Sequence, residues 1–500
     1  MADIYTRGME SIAEALYSAT QMRELDRRAI AVSGIPGHVL MQRAAAAAWG
    51  ALREHWPQAR RIVLFCGSGN NGGDGYEIAR LAQTTGFSVR LFELDALPRS
   101  GDAAIARAAW LTQGSVELWN CGDRLPESDV LVDAIFGIGL SRAPEGAACS
   151  AIEAINTAAA RGTAVLAIDI PSGLLADTGA VMGAAVAADL TVTFIGRKLG
   201  LHTGEGPAHA GQVLLDTLAV PASVYVGIEP IARLMQAADL RRCLPPRRRT
   251  AHKGDNGHVL LIGGDRGMAG AILIAARAAL RAGAGLVTVA TRAEHAATLV
   301  AAQPEIMFRG AESEDEMRAL LARADVVAIG PGLGQQEWGR SALAIALEAT
   351  LPKIVDADAL NLLARNHHGR ANWVLTPHPG EAARLLETSP AGVQSNRVEA
   401  VAALRERYGG VAVLKGAGTL VRGERLHVCP YGNPGMGVGG MGDALTGIIA
   451  AFVAQGSNLE DAAIAGITAH ALAGDRAAQS GERGLTPTDL IDALRRVVNP

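Results

Sequence analysis

An aspartate set among glycines is the feature of this chain that speaks most directly of chemistry. Gly432–Gly447 reads GNPGMGVGGMGDALTG, and Asp443 stands directly before an apolar helical pattern. Glycines let a backbone approach a ligand closely and reach positive φ. Successive backbone N–H groups at a helix start cradle an anion. A carboxylate where phosphate charge gathers is out of place unless it handles a proton. The stretch therefore points to phosphoryl chemistry on an alcohol, with Asp443 as the base; the plainer reading of a lone aspartate there is a helix N-cap.

Other motifs in the second half share the setting. GGDRGMAGA at Gly263–Ala271 and GPGLG at Gly330–Gly334 are glycine-rich turns after strand patterns. Lys415–Thr419 (KGAGT) ends a strand pattern and could approach nucleotide phosphates, or be a turn. TPHPGE at Thr376–Glu381 holds His378 between two prolines, a stiff and exposed position for a catalytic or a structural histidine. In open α/β sheets, ligands collect beyond the carboxyl ends of strands.

The first half has its own constellation. Gly67–Gly75 (GSGNNGGDG) follows a strand pattern and precedes a helical one, the context of a phosphate or dinucleotide loop without a G-x-G-x-x-G match. Its asparagines and Asp74 add oxygens that suit a hard cation. Asp133 opens DAIFGIGLSRA and Asp169 opens DIPSG, each at a strand end. Singly they are turn or cap residues; together they would converge on one crevice.

The elements that must position these residues alternate strand and helix. Apolar runs predict strands at Arg61–Cys66, Ser88–Leu94, Val130–Ala134, Ala164–Ile168, Leu190–Phe194 and Gln212–Leu215. Helices are predicted over Tyr76–Gln83 and Ala147–Ala160, preceded by an amphipathic helical segment over Ala19–Trp56. Val220–Thr250, with four prolines and the basic RRCLPPRRRT, reads as a connection. A second alternation follows, with strands at His258–Ile262, Leu286–Ala290, Val326–Ile329, Lys353–Asp356, Val374–Thr376 and Val411–Lys415. Its helices fall at Ala269–Ala282, Ser341–Ala349, Pro379–Glu387, Val393–Tyr408, Asp443–Ala454 and Leu459–Ser480. The expected class is α/β, with parallel, helix-covered sheets.

Bulk properties bound the rest. At 500 residues the chain is too long for one ordinary core. A net charge of −4 implies no general affinity for nucleic acid or acidic membranes. The 5 cysteines are scattered, with no C-x-x-C pair, which indicates neither a zinc site nor a disulfide framework. Met1–Glu10 lacks an apolar signal core, and Met268–Ala290 reads as helix, turn and strand, not a membrane span. The expected location is the cytoplasm.

As a set, GMAGA, GPGLG, TPHPGE, KGAGT and NPGMGVGGMGD make roughly Arg247–Val498 resemble the NAD(P)H-hydrate dehydratase branch of the ribokinase-like fold. Gly437-Val438 departs from the Ala-Thr often found there. The first half, roughly Thr20–Pro221 with QMRELD at Gln21–Asp26, resembles the NAD(P)H-hydrate epimerase domain. The resemblance implies a Rossmann-like three-layer epimerase domain over residues 1–225, a linker over 226–250 and a ribokinase-like dehydratase domain over 251–500.

The same resemblance implies the sites. In the epimerase, Asn70, Asn71, Gly72, Gly73 and Asp74, with Gly137, Ile138, Gly139, Leu140, Ser141, Arg142 and Ala143, would bind the hydrate and its diphosphate. Asn71, Asp133 and Ser172 would ligate potassium, and Asp169 would contact substrate and serve as acid/base. In the dehydratase, Ala271, Gly332, His378 and Asp443 would line the hydrate site. Lys415, Gly416, Ala417, Gly418, Thr419 and Gly442 would hold the nucleotide, with magnesium bridging phosphates. ADP is favoured over ATP because one chain carries both domains. The implied ligands are the hydrates of NADH and NADPH plus ADP, with no nucleic acid or membrane partner, and a homo-oligomer. Epimerisation by ring opening and by reversible loss of the hydroxyl both stay open. The rival is a ribokinase-class kinase for a vitamin precursor or sugar, with a nucleotide-binding N-terminal domain; a third reading is a non-catalytic nucleotide sensor.

Overall fold

The computed structural model describes residues 12–96 and 99–499; Met1–Glu10 lies outside them. The chain divides into two compact units, Met1–Arg233 and Leu234–Pro500.

In the first unit seven strands form one parallel sheet. Their order is Glu117–Leu118, Ser88–Glu93, Arg61–Cys66, Val130–Ala134, Ala164–Ile168, Leu190–Phe194, Gln212–Asp216. The central strands are continuous apolar runs because both faces are covered. Ile62, Leu64, Val130 and Val132 pack towards the helices Gly37–His55, Asn70–Thr84 and Gly101–Leu111, whereas Val63, Phe65, Leu131 and Val165 pack towards Ala147–Ala159. Chain order reverses between Arg61–Cys66 and Val130–Ala134, the switch point at which such sheets open a crevice.

Two expectations are corrected here. The helical segment over Ala19–Trp56 is two helices, Ala19–Ala31 and Gly37–His55, because Gly34 takes φ 65° and Pro36 cannot continue a helix. The glycine-rich stretch is not a loop up to Gly75: the helix begins at Asn70. Its glycines serve close packing. A Cβ on Gly72 would lie 2.0 Å from the Gly67 carbonyl, and one on Gly75 2.5 Å from Cys66 Sγ.

The second unit orders its strands Met307–Gly310, Leu286–Thr291, His258–Ile262, Val326–Ile329, Lys353–Val355, Trp373–Leu375, Val411–Leu414, Leu420–Arg422, Leu426–Val428. The first seven run parallel and the last two close as an antiparallel hairpin, a mixed sheet. Patterning missed that hairpin and the strand Met307–Gly310, because these strands are too short for a clear apolar run. The predicted Val393–Tyr408 helix breaks at Asn396 into Pro390–Ser395 and Arg397–Tyr408. The segment expected to be pure linker carries the strand Ala232–Leu234 and the short helix Asp239–Cys243. Among the described residues no helix is long and apolar enough to cross a membrane.

Helix Met441–Ala454, which carries Asp443, packs on helix Ala269–Arg281 through Gly447. A Cβ there would meet the Ala275 carbonyl oxygen at 2.0 Å, which no rotamer change relieves. Gly447→Ala is therefore expected to lower unfolding free energy by about 1–3 kcal/mol, read from the urea midpoint. An unchanged midpoint would mean that the two helices slide apart freely.

Candidate functional site

Helix Met441–Ala454 starts from Gly440, whose φ of 93° only glycine takes without strain. The first helical bond runs from Ala444 N–H to the Gly440 carbonyl, so the N–H groups of Met441, Gly442 and Asp443 have no intrahelical partner. Gly440 is the N-cap residue and no side chain caps this helix, so the carboxylate of Asp443 is not spent on capping. Burial raises its pKa to about 7, Asp356 and Asp358 adding to the rise and Lys415 opposing it.

Asp356 lies at the centre of this site. It follows strand Lys353–Val355 and is 1% exposed. One oxygen accepts from Lys415 Nζ at 2.7 Å, the other from the Thr446 hydroxyl at 2.7 Å. Burial alone would lower the Lys415 pKa, but Asp356 and Glu381 outweigh it and hold it above the ordinary value. Gly442 completes the arrangement: a Cβ there would lie 3.1 Å from Lys415 Nζ. The ammonium is thus tucked beneath the open helix N-terminus.

The neighbouring loops lock to this centre. Gly264 N–H bonds the Pro331 carbonyl at 3.1 Å and Asp265 N–H the Gly332 carbonyl at 2.6 Å. A Cβ on Gly332 would lie 3.3 Å from Ala271 Cβ, so those two site residues are adjacent. Asp358 accepts from Gly334 N–H at 3.0 Å. His378 is exposed and is the N-cap of helix Pro379–Leu385, its Nδ1 accepting from Gly380 N–H at 3.0 Å. Burial, Lys415 and Arg384 lower its pKa. Glu381 closes the capping box and lies 3.9 Å from Lys415 Nζ; burial first, then Asp356, raises its pKa to about 7. In KGAGT, Gly416 and Ala417 are exposed, and the Thr419 hydroxyl donates to the Gly416 carbonyl at 2.8 Å. Gly418 turns back with φ 60° into the hairpin.

In the first unit, Asp133 and Ser172 are bound directly. Asp133 accepts from the Ser172 hydroxyl at 2.6 Å, from Ser172 N–H at 2.7 Å and from Ile135 N–H at 3.2 Å. Burial raises the Asp133 pKa to about 6 against these bonds. Asn71 is buried, and neither atom of its amide has a hydrogen-bond partner. The side chain lies against Gly137, whose Cβ would be 3.6 Å from Asn71 Cβ. An orphaned buried amide invites an outside ligand, and the carboxylate of Asp133 keeps one of its roughly four lone-pair positions open. The oxygens of Asn71, Asp133 and Ser172 are a donor set that fits a hard cation. Gly139, Ser141, Arg142 and Ala143 lie in an exposed loop after strand Val130–Ala134, with Ile138 and Leu140 half-buried. Asn70 to Gly72 present free N–H groups at a helix start, and Asp74 lies within the same helix. Asp169, in a left-handed conformation with φ 68°, is ion-paired to the buried Lys198.

Sequence reasoning missed Asp356, Asp358, Glu381 and Lys198 as members of these sites. Asp356 had one signal, its place at a predicted strand end. Its partner Lys415 is 59 residues away, a pairing no local pattern reveals.

The two units thus define a two-site α/β enzyme class: a parallel Rossmann-like sheet with a polar crevice at its switch point, and a ribokinase-like sheet with an open helix N-terminus beside a carboxylate–ammonium pair. Family models match both parts, residues 37–200 as YjeF-related protein N-terminus and residues 259–496 as NAD(P)H-hydrate dehydratase. The bifunctional NAD(P)H-hydrate repair enzyme Nnr of Coxiella burnetii is 47% identical over 97% of this chain and 99% of its own. A ribokinase-like superfamily protein of Enterococcus faecalis is 30% identical with a TM-score of 0.50, over 53% of this chain and 95% of its own. The ADP/ATP-dependent NAD(P)H-hydrate dehydratase of Bacillus subtilis, co-crystallised with ATP and Mg2+, is 29% identical with a TM-score of 0.48, over 52% and 96%. The chain belongs to the bifunctional NAD(P)H-hydrate repair enzyme family.

Asp443 is expected to gain a proton near pH 7, and Asp356→Asn to lower that value by removing a neighbouring negative charge. A carbon-13 carboxyl NMR titration reads both. A wild-type Asp443 titrating in the ordinary carboxylate range would contradict the arrangement.

Proposed function

We propose that this chain repairs hydrated nicotinamide nucleotides, the first unit interconverting the R and S hydrates of NADH or NADPH and the second dehydrating the S form at the expense of ADP. The epimerase is assigned to residues 1–225, the dehydratase to 251–500, and 226–250 joins them. The single observation that carries the dehydratase reading is Asp443: a carboxyl uncommitted to capping, with its pKa raised to about 7, beside an open helix N-terminus.

In the dehydratase, Asp443 takes the proton of the ring hydroxyl, and that oxygen attacks the β-phosphorus of ADP as AMP leaves. The phosphate ester then breaks at carbon: phosphate departs with the C–O electrons, the ring nitrogen supplies the compensating pair, and loss of a neighbouring proton restores the dihydropyridine. Hydroxide is a poor leaving group and phosphate a good one, which is why a nucleotide is spent. Ala271, Gly332 and His378 line the hydrate site. Lys415 to Thr419 and Gly442 hold the nucleotide, Lys415 as its point charge. Bound magnesium would neutralise phosphate charge.

In the epimerase, Asn70 to Asp74 and Gly137 to Ala143 bind the hydrate and its diphosphate, and Asp169 is the acid/base group. Asn71, Asp133 and Ser172 would hold potassium, which organises the loops after the central strands. Five free cysteines favour a reducing, cytoplasmic setting. Assembly as a homo-oligomer completes the reading, and sedimentation velocity measures it.

Asp443→Ala is expected to abolish dehydration and leave epimerisation intact; continued turnover would remove its role as base. Asp169→Ala is expected to stop use of the R hydrate while the S hydrate is still consumed. Dehydration is expected to rise with pH through about 7, as Asp443 loses its proton. Replacing potassium by lithium is expected to slow epimerisation alone, measured by resolving the two hydrates chromatographically.

A further inference from the structure

Two sequence features, QMRELD at Gln21–Asp26 and the lysine of GRK at Gly196–Lys198, have no part in the reaction as described. They meet at Asp169. Lys198 lies in the short strand Arg197–Lys198 with its side chain 1% exposed. Its three donor hydrogens find three acceptors: Asp169 Oδ1, the Thr193 hydroxyl at 2.9 Å and the Phe194 carbonyl at 3.1 Å. Burying a lysine is costly unless it is paired and hydrogen-bonded in this way.

The bonds to Asp169 are one-sided. Oδ1 takes Lys198, the Phe194 N–H at 3.2 Å and the Thr193 hydroxyl at 3.4 Å. Among the described residues, Oδ2 has no such partner. Asp169 also carries strain, with φ 68° in a residue that has a side chain, and its own N–H is tied to the Val192 carbonyl at 2.8 Å. Strand Leu190–Phe194 and Lys198 together fix the direction in which Oδ2 points.

Two further carboxyl groups surround the pair. Asp26, from helix Ala19–Ala31, and Asp74, from helix Asn70–Thr84, both act on this pair. Burial raises the Asp26 pKa to about 6, with Lys198 opposing and Asp169 adding to the rise. Burial, Asp169 and Asp26 push Asp74 well up, Lys198 opposes, and Glu77 adds to the rise. Three carboxyl groups thus share one buried ammonium, and Lys198 bonds only one of them.

We propose that Lys198 is a positioning residue for epimerisation: by occupying Oδ1 it fixes the Asp169 carboxyl in place and leaves Oδ2 alone to meet the hydrate. The inference rests on Asp169 being the acid/base group. Asp26 and Asp74 each hold a proton more tightly than an ordinary carboxyl, and Lys198 bonds neither of them. Pairs of titratable groups driven apart by their environments are the pattern of acid/base sites.

The test follows interconversion of the purified R and S hydrates by the full chain without nucleotide, so that dehydration is idle. Lys198→Met is expected to lower kcat about tenfold or more, on the scale of a lost positioning contact, with little change in KM. It is also expected to move the acidic limb of the pH profile upward, because the cluster loses the cation that opposes the raised pKa of Asp26 and Asp74. Lys198→Arg is expected to restore part of the rate. In an Asp169→Asn background, Lys198→Met is expected to cost little more, since both changes remove one interaction. Full additivity, or an unmoved pH limb, overturns the inference while leaving Asp169 in place. Wild-type epimerisation by Asp169→Asn overturns the Asp169 reading, and this inference with it. Should Lys198→Met unfold the unit, Lys198→Arg and Thr193→Val decide: each must move the same limb upward by a smaller amount, and an unmoved limb in both overturns the proposal.

Discussion

Each unit keeps a lysine–aspartate pair largely out of water at the carboxyl edge of its sheet, and the loops around it depend on that pair. Lys415 holds Asp356 in the second unit and Lys198 holds Asp169 in the first. Removing one partner of a buried pair leaves an uncompensated charge, at a cost of about 3–5 kcal/mol. The pairs therefore fix the loops that carry them. Around Asp356 this means the turn after Lys353–Val355, the start of KGAGT and the Thr446 turn of the helix that presents Asp443. Around Asp169 it means the ends of Ala164–Ile168 and Leu190–Phe194.

Both pairs also set proton affinity nearby. Asp356 carries a negative charge towards Asp443, and Lys415 a positive one, while burial of Asp443 dominates both. A base poised near neutrality matches a proton transfer at physiological pH better than an ordinary carboxylate would. The helix N-terminus adds the complementary element, three backbone donors for an anion. A proton acceptor and an anion acceptor side by side are what alcohol phosphorylation needs. The glycines at 440 and 442 allow it, one by its left-handed turn and the other by leaving room for Lys415.

Much of this was legible in the residues. Apolar runs such as Arg61–Cys66, Val130–Ala134, His258–Ile262 and Val326–Ile329 coincide with the observed strands, because strands buried on both faces need unbroken apolar sequence. The α/β class and the repair-enzyme family followed from those runs and from motifs as local as KGAGT. What local pattern could not reveal depends on distance or on packing. Glycines in NNGGDG read as a loop, yet they lie in the first turns of a helix, where Gly67, Met41 and Cys66 leave no room for a Cβ. Asp356, Glu381 and Lys198 acquire meaning only when the sheet brings their partners close.

The proposed dehydratase spends a nucleotide to discard a hydroxyl, not to make a stable phosphate ester. Phosphorus-31 NMR of the full chain with NADH hydrate, ADP and magnesium decides it most directly, read together with absorbance of the reduced nicotinamide. AMP and inorganic phosphate are expected to appear together, each in step with recovered reduced nicotinamide. A persistent phosphate-ester resonance, without recovery of that absorbance, would contradict it and leave a small-molecule kinase.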